Sequence, residues 1–293
     1  MPYGSNIVCG IDESAASVHA CRQAIGLPGK RRTAHAVAVL PPVPMAWDHS
    51  VEAVDELDRE LAGRRGLLRD NLDRLTSSCC GDIPVETSLI QEGLPHEGIV
   101  EKAREVGADL IVLGARKATG ALQHRMLGAV SSRVVGYACC DVLMVPEDVN
   151  MRAAGLLVPV DGSGHAARAV RRGVAIAKEF GLPLTFLAVA PVPEGLKDYS
   201  LNQLSVDRLE ERARETADAA RAEAAKAGVE AAALVRTGSP SLIIVAVARE
   251  LGAGLILMGS HGRTGLKRLL MGSTTERVLQ LSPCPVLVTR IGD

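Results

Sequence analysis

The sequence predicts two tandem, doubly wound α/β domains, each built on a five-stranded parallel sheet. The first observation is a repeat: residues 7–14, an apolar run followed by Asp12, match residues 156–163, in which the apolar run is followed by Asp161. The second observation is that strand-length apolar runs alternate with longer amphipathic segments in both copies. Alternating strands and helices place helices on both faces of a parallel sheet. Polar residues around 147–152 separate the copies, so we place the domains at 1–149 and 150–293.

The elements are clearest in the second copy. Pro240, preceded by Gly238 and Ser239, is typical of the first turn of a helix. The long segment 207–226 is rich in Ala, Glu and Arg, and we interpret its charges as a solvated helix face with i,i+4 pairs. We expect strands at 155–160, 184–190, 229–236, 254–259 and 285–290, and helices at 166–180, 201–227, 240–252 and 272–282.

Composition excludes several classes of partner and location. The chain has 293 residues, of which 47% are hydrophobic, enough for two sizeable cores. Its net charge is -1 and its aromatic content is 2%, so neither nucleic acid nor an anionic membrane is an expected partner. No apolar run approaches the ~20 residues of a membrane span, and the first residues lack the pattern of a signal peptide. We therefore expect a cytoplasmic protein. The cysteines and histidines show no zinc-type spacing, and no metal site made of protein ligands is predicted.

A glycine-rich loop follows the fourth predicted strand of the second copy. Gly259 ends that strand, Gly262 follows, and Gly272 precedes a predicted helix that begins with Ser273 and Thr274. Glycines let a backbone approach a ligand closely, and a helix N-terminus offers N–H groups to phosphate, to which hydroxyls add donors. The pattern favours a phosphate-binding loop, although an ordinary strand–loop–helix connection uses glycines of the same kind.

The loop, G-x2-G-x9-G-[ST] after a strand, resembles the ATP-binding loop of the universal stress protein family, and the repeat extends the resemblance over both halves. The resemblance implies the strand order 3-2-1-4-5, with ATP and magnesium bound at the carboxyl ends of the first and fourth strands. It also implies that Asp161 takes part in adenosine binding and that backbone groups at Val189 hold adenine. Residue types alone leave Asp161 either a helix cap or a ligand. The predicted nucleotide-binding residues are Asp161, Val189, Gly259, Gly262, Gly272, Ser273 and Thr274.

The first copy departs from this loop. Lys117 stands where the second glycine belongs, the third glycine arrives one residue late, and Ala129 and Val130 replace the hydroxyl pair. We therefore expect one ATP per chain, held in the second half. A second, weaker site would comprise Asp12, Val39, Gly114 and Gly128.

The last apolar strands of the two copies, at 142–145 and 286–288, could pair edge to edge. The resemblance implies such a pseudo-dimer within one chain, and a further homodimer in some members. A protein partner is expected from the family, and the sequence does not identify it.

The leading functional hypothesis is an ATP-binding stress-response protein in which the nucleotide acts as a switch or sensor. No nucleophile is paired with a general base, so no catalytic residue is predicted. The stretch 162–167 fits the dinucleotide pattern G-x-G-x-x-A, but the next predicted strand ends in Val189, Ala190 and Pro191 without the expected acid, which excludes NAD. Two alternatives are a slow ATPase or phosphoryl or adenylyl transferase, and a nucleotide-free scaffold.

Overall fold

The computed structural model describes residues 6–26, 33–42, 51–78, 83–116, 127–191, 203–262 and 271–290. In the first half the elements are β1 (Asn6–Ile11), α1 (Ala15–Ile25), β2 (Thr33–Val39), α2 (Val51–Ser78), β3 (Val85–Ile90), α3 (Pro95–Glu105), β4 (Leu110–Ala115), α4 (Ala129–Tyr137) and β5 (Asp141–Pro146). In the second half they are β6 (Leu156–Val160), α5 (Gly164–Phe180), β7 (Leu184–Ala190), α6 (Gln203–Lys226), β8 (Ala231–Thr237), α7 (Pro240–Glu250), β9 (Leu255–Gly259), α8 (Ser273–Leu281) and β10 (Val286–Thr289).

The strands form one ten-stranded sheet in the order β3-β2-β1-β4-β5-β10-β9-β6-β7-β8. Within each half the strands are parallel and follow the order 3-2-1-4-5, which confirms the predicted fold class. The halves meet at β5 and β10, which pair antiparallel with Leu143 opposite Leu287. The pairing expected from the apolar last strands is therefore present, and the domain boundary predicted at 149/150 lies between β5 and β6.

Helices cover both faces of the sheet, so its strands are buried on both faces. Ile7 of β1 belongs to the core under α1, α2, α5 and α6, whereas its neighbour Val8 belongs to the core under α3, α4, α7 and α8. Successive side chains of a strand point to opposite faces, so continuous apolar runs such as 255–258 are what a two-sided sheet requires. Pro240 is the first residue of α7, as its sequence context predicts. None of the helices within the described ranges is long and apolar enough to span a membrane.

A buried carboxylate joins the two halves. The side chain of Asp141, the first residue of β5, is 0% exposed. It accepts a hydrogen bond from Arg172 Nε of α5 at 2.7 Å and another from the backbone N–H of Arg290, just after β10, at 3.0 Å. Arg168 Nη2 of α5 lies 3.8 Å from the same carboxylate. Because a buried charge without partners is strongly destabilising, Asp141 fixes α5 and β10 of the second half against the first.

Candidate functional site

A pocket of about 230 Å³ opens at the carboxyl ends of β6, β7 and β9. This is the point where the strand order reverses, so helices on either side of it leave the sheet in different directions and expose a crevice. Five of the residues predicted from sequence line this pocket: Asp161, Val189, Gly259, Gly262 and Thr274. The other walls come from α6, α7 and α8 and are lined by Leu209, Arg212, Ala213, Thr216, Pro240, Ile244 and Thr275.

One carboxylate oxygen of Asp161 orders the turn after β6, and the other lies against the glycine loop. Its Oδ1 accepts the backbone N–H of Ser163 at 2.9 Å. Ser163 is itself the N-cap of α5, because its Oγ accepts the N–H of Ala166 at 3.1 Å. A Cβ added to Gly262 would lie 2.9 Å from Asp161 Oδ2, so that oxygen sits against the glycine loop. The helix-cap role that the sequence left open for Asp161 therefore belongs to Ser163.

Gly259 is required by packing. A Cβ at this position would lie 2.6 Å from His165 Cβ and 2.8 Å from its backbone carbon. The same constraint holds in the first half, where a Cβ on Gly114 would lie 2.5 Å from the carbonyl carbon and oxygen of Ala16. Contacts this short mean that any side chain at these positions would have to push the helix backbone away from the strand. The sequence interpretation, which assigned Gly259 to close approach of a phosphate, missed this contact between β9 and α5.

The start of α8 closes the glycine loop. The N–H of Gly272 donates to the carbonyl of Ser260 at 2.9 Å, which brings the two ends of the loop together. Gly272 is the N-cap residue, so the hydroxyl residues begin the helix. Thr274 lines the pocket, whereas Ser273 is exposed and lies outside the lining. Residues 263–270 of the loop lie outside the part of the chain that the structure describes.

One face of α6 forms a wall that sequence reasoning missed. Leu209, Arg212, Ala213 and Thr216 line the pocket, although the helix was interpreted only as a solvated face. Their spacing of i, i+3, i+4 and i+7 marks a single helix face. The signal was therefore present in the sequence, but charged neighbours on the same helix obscured it.

Two histidines and a buried serine lie beside the pocket. Ser260 is 1% exposed, and its Oγ lies 3.4 Å from His165 Nδ1 and 3.2 Å from His261 Nδ1. The ring centroids of His165 and His261 are 5.4 Å apart. Burial lowers the pKa of His165, and the positive charges of His261 and Arg290 lower it further against the opposing charge of Asp161. His165 is thus favoured in its neutral form.

In the first half, the matching carboxylate, Asp12 just after β1, already has partners in the chain. Arg116 Nη2 lies 2.8 Å from Asp12 Oδ2, and Asn71 Nδ2 donates to the carbonyl of Asp12 at 2.9 Å. Burial raises the pKa of Asp12, but hydrogen bonds from Ser14 and the charge of Arg116 outweigh it, so the pKa lies below its ordinary value. Asp12 is therefore held as a paired carboxylate.

The remaining residues predicted for the first half lie near the carboxyl ends of β2 and β4 and at the start of α4. Val39 is buried at the end of β2, and a Cβ on Gly98 would lie 2.9 Å from it. Gly128 is an exposed N-cap of α4. Lys117 lies outside the described residues.

A family model and curated relatives indicate the same family, and a solved structure of that family has the same fold. The model of the universal stress protein family matches twice, over residues 5–146 and 155–290. The chain is similar to Universal stress protein YxiE of Bacillus subtilis, with 34% identity over 149 residues that cover 46% of this chain and 97% of that protein. It is similar along more of its length to Universal stress protein Rv2005c of Mycobacterium tuberculosis, with 30% identity over 268 residues that cover 87% of this chain and 83% of that protein. Among solved structures, a universal stress protein from Archaeoglobus fulgidus has the same fold, with a TM-score of 0.65, 21% identity and 98% of each chain covered.

Proposed function

Because the chain belongs to the universal stress protein family, we propose that its second half binds ATP and that the bound nucleotide acts as a switch or sensor. The observation that carries the proposal is the pocket at the carboxyl ends of β6, β7 and β9, where a carboxylate, a strand end and a glycine loop meet. Ligands of open α/β sheets bind in this place.

The adenosine part of ATP would occupy the enclosed region. Asp161 Oδ2 would accept a hydrogen bond from a ribose hydroxyl or an adenine amino group. The register between β7 and β6 ends at Ala188, opposite Val160, so β7 continues past β6 and offers the backbone of Val189 to the purine. Pro240 and Ile244 of α7 add apolar surface for a ring. The cavity of about 230 Å³ is small for a whole nucleotide, since ligand pockets usually enclose ~300–1,000 Å³.

The phosphates would leave the enclosed region along Gly262 toward α8. The first N–H groups of α8 and the hydroxyl of Thr274 would donate to them, because a helix N-terminus carries unpaired donors and a partial positive charge. Among the described residues, no group of three or more His, Cys, Asp or Glu is arranged to hold a metal. Magnesium keeps water and phosphate ligands, so it would bind together with the ATP phosphates and neutralise part of their charge.

The first half supports a stoichiometry of one ATP per chain. Its carboxylate, Asp12, is already paired with Arg116. Its helix α4 begins with Ala129 and Val130, which supply no hydroxyl donors. Losing two hydrogen bonds to a phosphate lowers affinity by roughly tenfold or more.

Titration calorimetry of the full chain with ATP and magnesium tests the proposal. We expect one site, and a gain in stability of about 2.7 kcal/mol at a ligand concentration a hundred times Kd. Gly262→Val should abolish binding, because its side chain would meet Asp161. The matched control is Gly128→Val in the first half, where an added Cβ has no neighbour within 4 Å. A wild-type chain that binds no ATP, or binding that survives Gly262→Val, would contradict the proposal.

Two further measurements address the switch and its alternatives. If the nucleotide acts as a switch, amide hydrogen exchange should change outside the pocket when ATP binds, and unchanged exchange there would argue against a switch. A chain that binds no ATP would favour the nucleotide-free scaffold. Turnover of radiolabelled ATP that survives ion exchange and disappears in Gly262→Val would instead indicate the slow ATPase or transferase.

A further inference from the structure

Two adjacent cysteines lie at the joint between the halves, far from the nucleotide pocket in the sequence. Cys139 and Cys140 occupy the bend between α4 and β5, just before the buried carboxylate of Asp141. In a regular strand, successive side chains point to opposite faces. In this bend, by contrast, the thiol of Cys140 makes a hydrogen bond with the thiol of Cys139. The two sulfur atoms are therefore already in contact.

The two thiols differ in their access to solvent. Cys139 is exposed, whereas Cys140 is buried and belongs to the core under α3, α4, α7 and α8. Burial raises the pKa of Cys140, and the neighbouring Cys139 and the charges of Asp141 and Asp109 raise it further. A reagent from solvent therefore reaches Cys139 first, while Cys140 lies beside it as a protonated thiol.

We propose that Cys139 and Cys140 form a modification site at which a hydroperoxide oxidises the two thiols to a vicinal disulfide. Sγ of Cys139 attacks a peroxide oxygen: an S–O bond forms, the O–O bond breaks, and water or an alcohol leaves with the thiol proton. Sγ of Cys140 then attacks the sulfenic sulfur: an S–S bond forms, the S–O bond breaks, and the hydroxyl leaves as water with the Cys140 proton. The two thiols lose two electrons, which the peroxide gains.

The second half provides a natural control for this site. Pro283 follows the C-cap of α8, where Cys139 follows the C-cap of α4, so Cys284 has no cysteine beside it in the sequence. Cys284 is also too far away to replace Cys139 as the partner of Cys140. The two residues precede antiparallel strands and thus lie at opposite ends of the joint, roughly 15–20 Å apart, whereas a disulfide needs Cα atoms within ~7 Å.

Oxidation of this pair would be felt at the joint, because Arg290 of the second half contacts both sides of the bend. Its Nε donates to the carbonyl of Ala138 at 3.1 Å, and its backbone N–H donates to Asp141 Oδ1 at 3.0 Å. Consecutive Cα atoms are ~3.8 Å apart, closer than the ~4.4–6.8 Å of an ordinary disulfide. Closing the ring therefore distorts the bend and weakens the contacts of Arg290. The strained bond should also be easily reduced by a thiol.

Peptide mapping of the full chain after treatment with hydrogen peroxide tests the proposal. Trypsin releases residues 134–152, which contain no cysteine besides this pair. After oxidation and alkylation, we expect this peptide to have lost two hydrogen atoms and to carry no alkyl group. Dithiothreitol added before alkylation should restore two alkylated cysteines. Peptide 278–290, in which Cys284 is the single cysteine, should be alkylated in every sample.

Three results of this mapping would overturn the proposal. They are two alkylated cysteines in peptide 134–152 after peroxide, a sulfinic acid in place of the disulfide, and a disulfide that joins this peptide to another. Methionine oxidation in the same peptide adds oxygen, so the loss of two hydrogen atoms reports the cysteines alone.

Two variants test the order of the steps. In Cys140→Ala, a small apolar substitution in the core, Cys139 should stop at the sulfenic acid, which dimedone traps. In Cys139→Ser, an exposed substitution, Cys140 should give no dimedone adduct because it is buried. An adduct on Cys140, or none on Cys139, would contradict the assigned order.

The effect on the joint has its own measurement. Exchange of the Arg290 amide hydrogen, followed by NMR, should be several-fold faster in the oxidised wild-type chain than in the reduced one. Cys139→Ser treated with the same peroxide is the matched control and should show no change. Equal exchange in the oxidised and reduced wild-type chains would refute the coupling between the dithiol and the joint.

None of these measurements depends on ATP. A chain that binds no nucleotide would overturn the proposed function and leave this proposal standing.

Discussion

Separate substitutions of Gly259 and Gly262 should affect different properties of the protein. A change at Gly259 should lower stability, and a change at Gly262 should weaken ATP binding. In Gly259→Ala, the new methyl group would lie 2.6 Å from His165 Cβ and 2.8 Å from helix backbone. Helix α5 would have to move, and overpacking of this kind costs about 1–3 kcal/mol. In Gly262→Ala, the methyl group would meet only the end of the Asp161 side chain, at 2.9 Å. The cost to folding should be below about 0.5 kcal/mol, as for most surface substitutions.

The two variants should give opposite results in two assays. Thermal unfolding should show a lower Tm for Gly259→Ala by about 2–12 °C, since 1 kcal/mol corresponds to ~2–4 °C in a domain of this size. ATP titration should show weaker binding for Gly262→Ala by about 1.5–3 kcal/mol, the worth of a hydrogen bond to a carboxylate. Gly114→Ala is the matched control, because its methyl group would lie 2.5 Å from Ala16 and should destabilise the fold without touching the pocket.

The reasoning would be refuted by a Gly259→Ala protein that unfolds at the wild-type temperature. It would also be refuted if Gly262→Ala lowered Tm as much as Gly114→Ala does. In either case, close packing of a helix on a strand would not explain why glycine occupies the strand end.

Three other predictions concern carboxylates. Asp141→Ala should destabilise the full chain by about 1.5–3 kcal/mol in denaturant titrations, because it removes hydrogen bonds that a buried carboxylate accepts from Arg172 and from the backbone of Arg290. Asp218→Ala, which breaks an exposed i,i+3 pair, should cost less than about 0.5 kcal/mol, and equal losses would contradict the role of burial. Asp161→Ala should weaken ATP binding roughly 10- to 150-fold by calorimetry, and an unchanged affinity would limit this carboxylate to ordering its turn. Asp12, whose pKa is lowered, should stabilise the fold above pH 3.8 and lose that contribution as pH falls through its folded-state value. The stability difference between wild type and Asp12→Asn should therefore shrink from pH 7 to about pH 3, and a constant difference would contradict the linkage.

Local patterns were enough to predict most of the fold. The strand predicted at 184–190 is Leu184–Ala190, and the helix predicted at 272–282 is Ser273–Leu281. Both rest on signals within a few residues, namely an apolar run of strand length and a glycine before hydroxyl residues. The third strand of the second half is shifted, from 229–236 to Ala231–Thr237, because α6 ends in a turn at Gly228 with φ of 74°.

The candidate site was harder to predict because its contacts are not local. The packing of His165 on Gly259 joins residues almost a hundred positions apart, and no spacing rule relates them. The arginine pairs of Asp141 cross from one half to the other. Ser273 and Thr274 were predicted together as ligand residues, and in the structure Ser273 is exposed whereas Thr274 lines the pocket. Which side of a helix faces a pocket depends on how the helix docks, and a short segment of sequence does not encode this docking.

The antiparallel contact between β5 and β10 bears on whether the two halves stay associated when the protein is diluted. Two separate subunits joined through such strands would dissociate as their concentration falls, and their stability would depend on how much protein is present. Here the segment between Pro146 and Leu156 joins the two halves in one chain. A short tether holds its two ends at an effective concentration in the millimolar range, whatever the amount of protein. The two halves should therefore remain associated even when only a few copies of the chain are present.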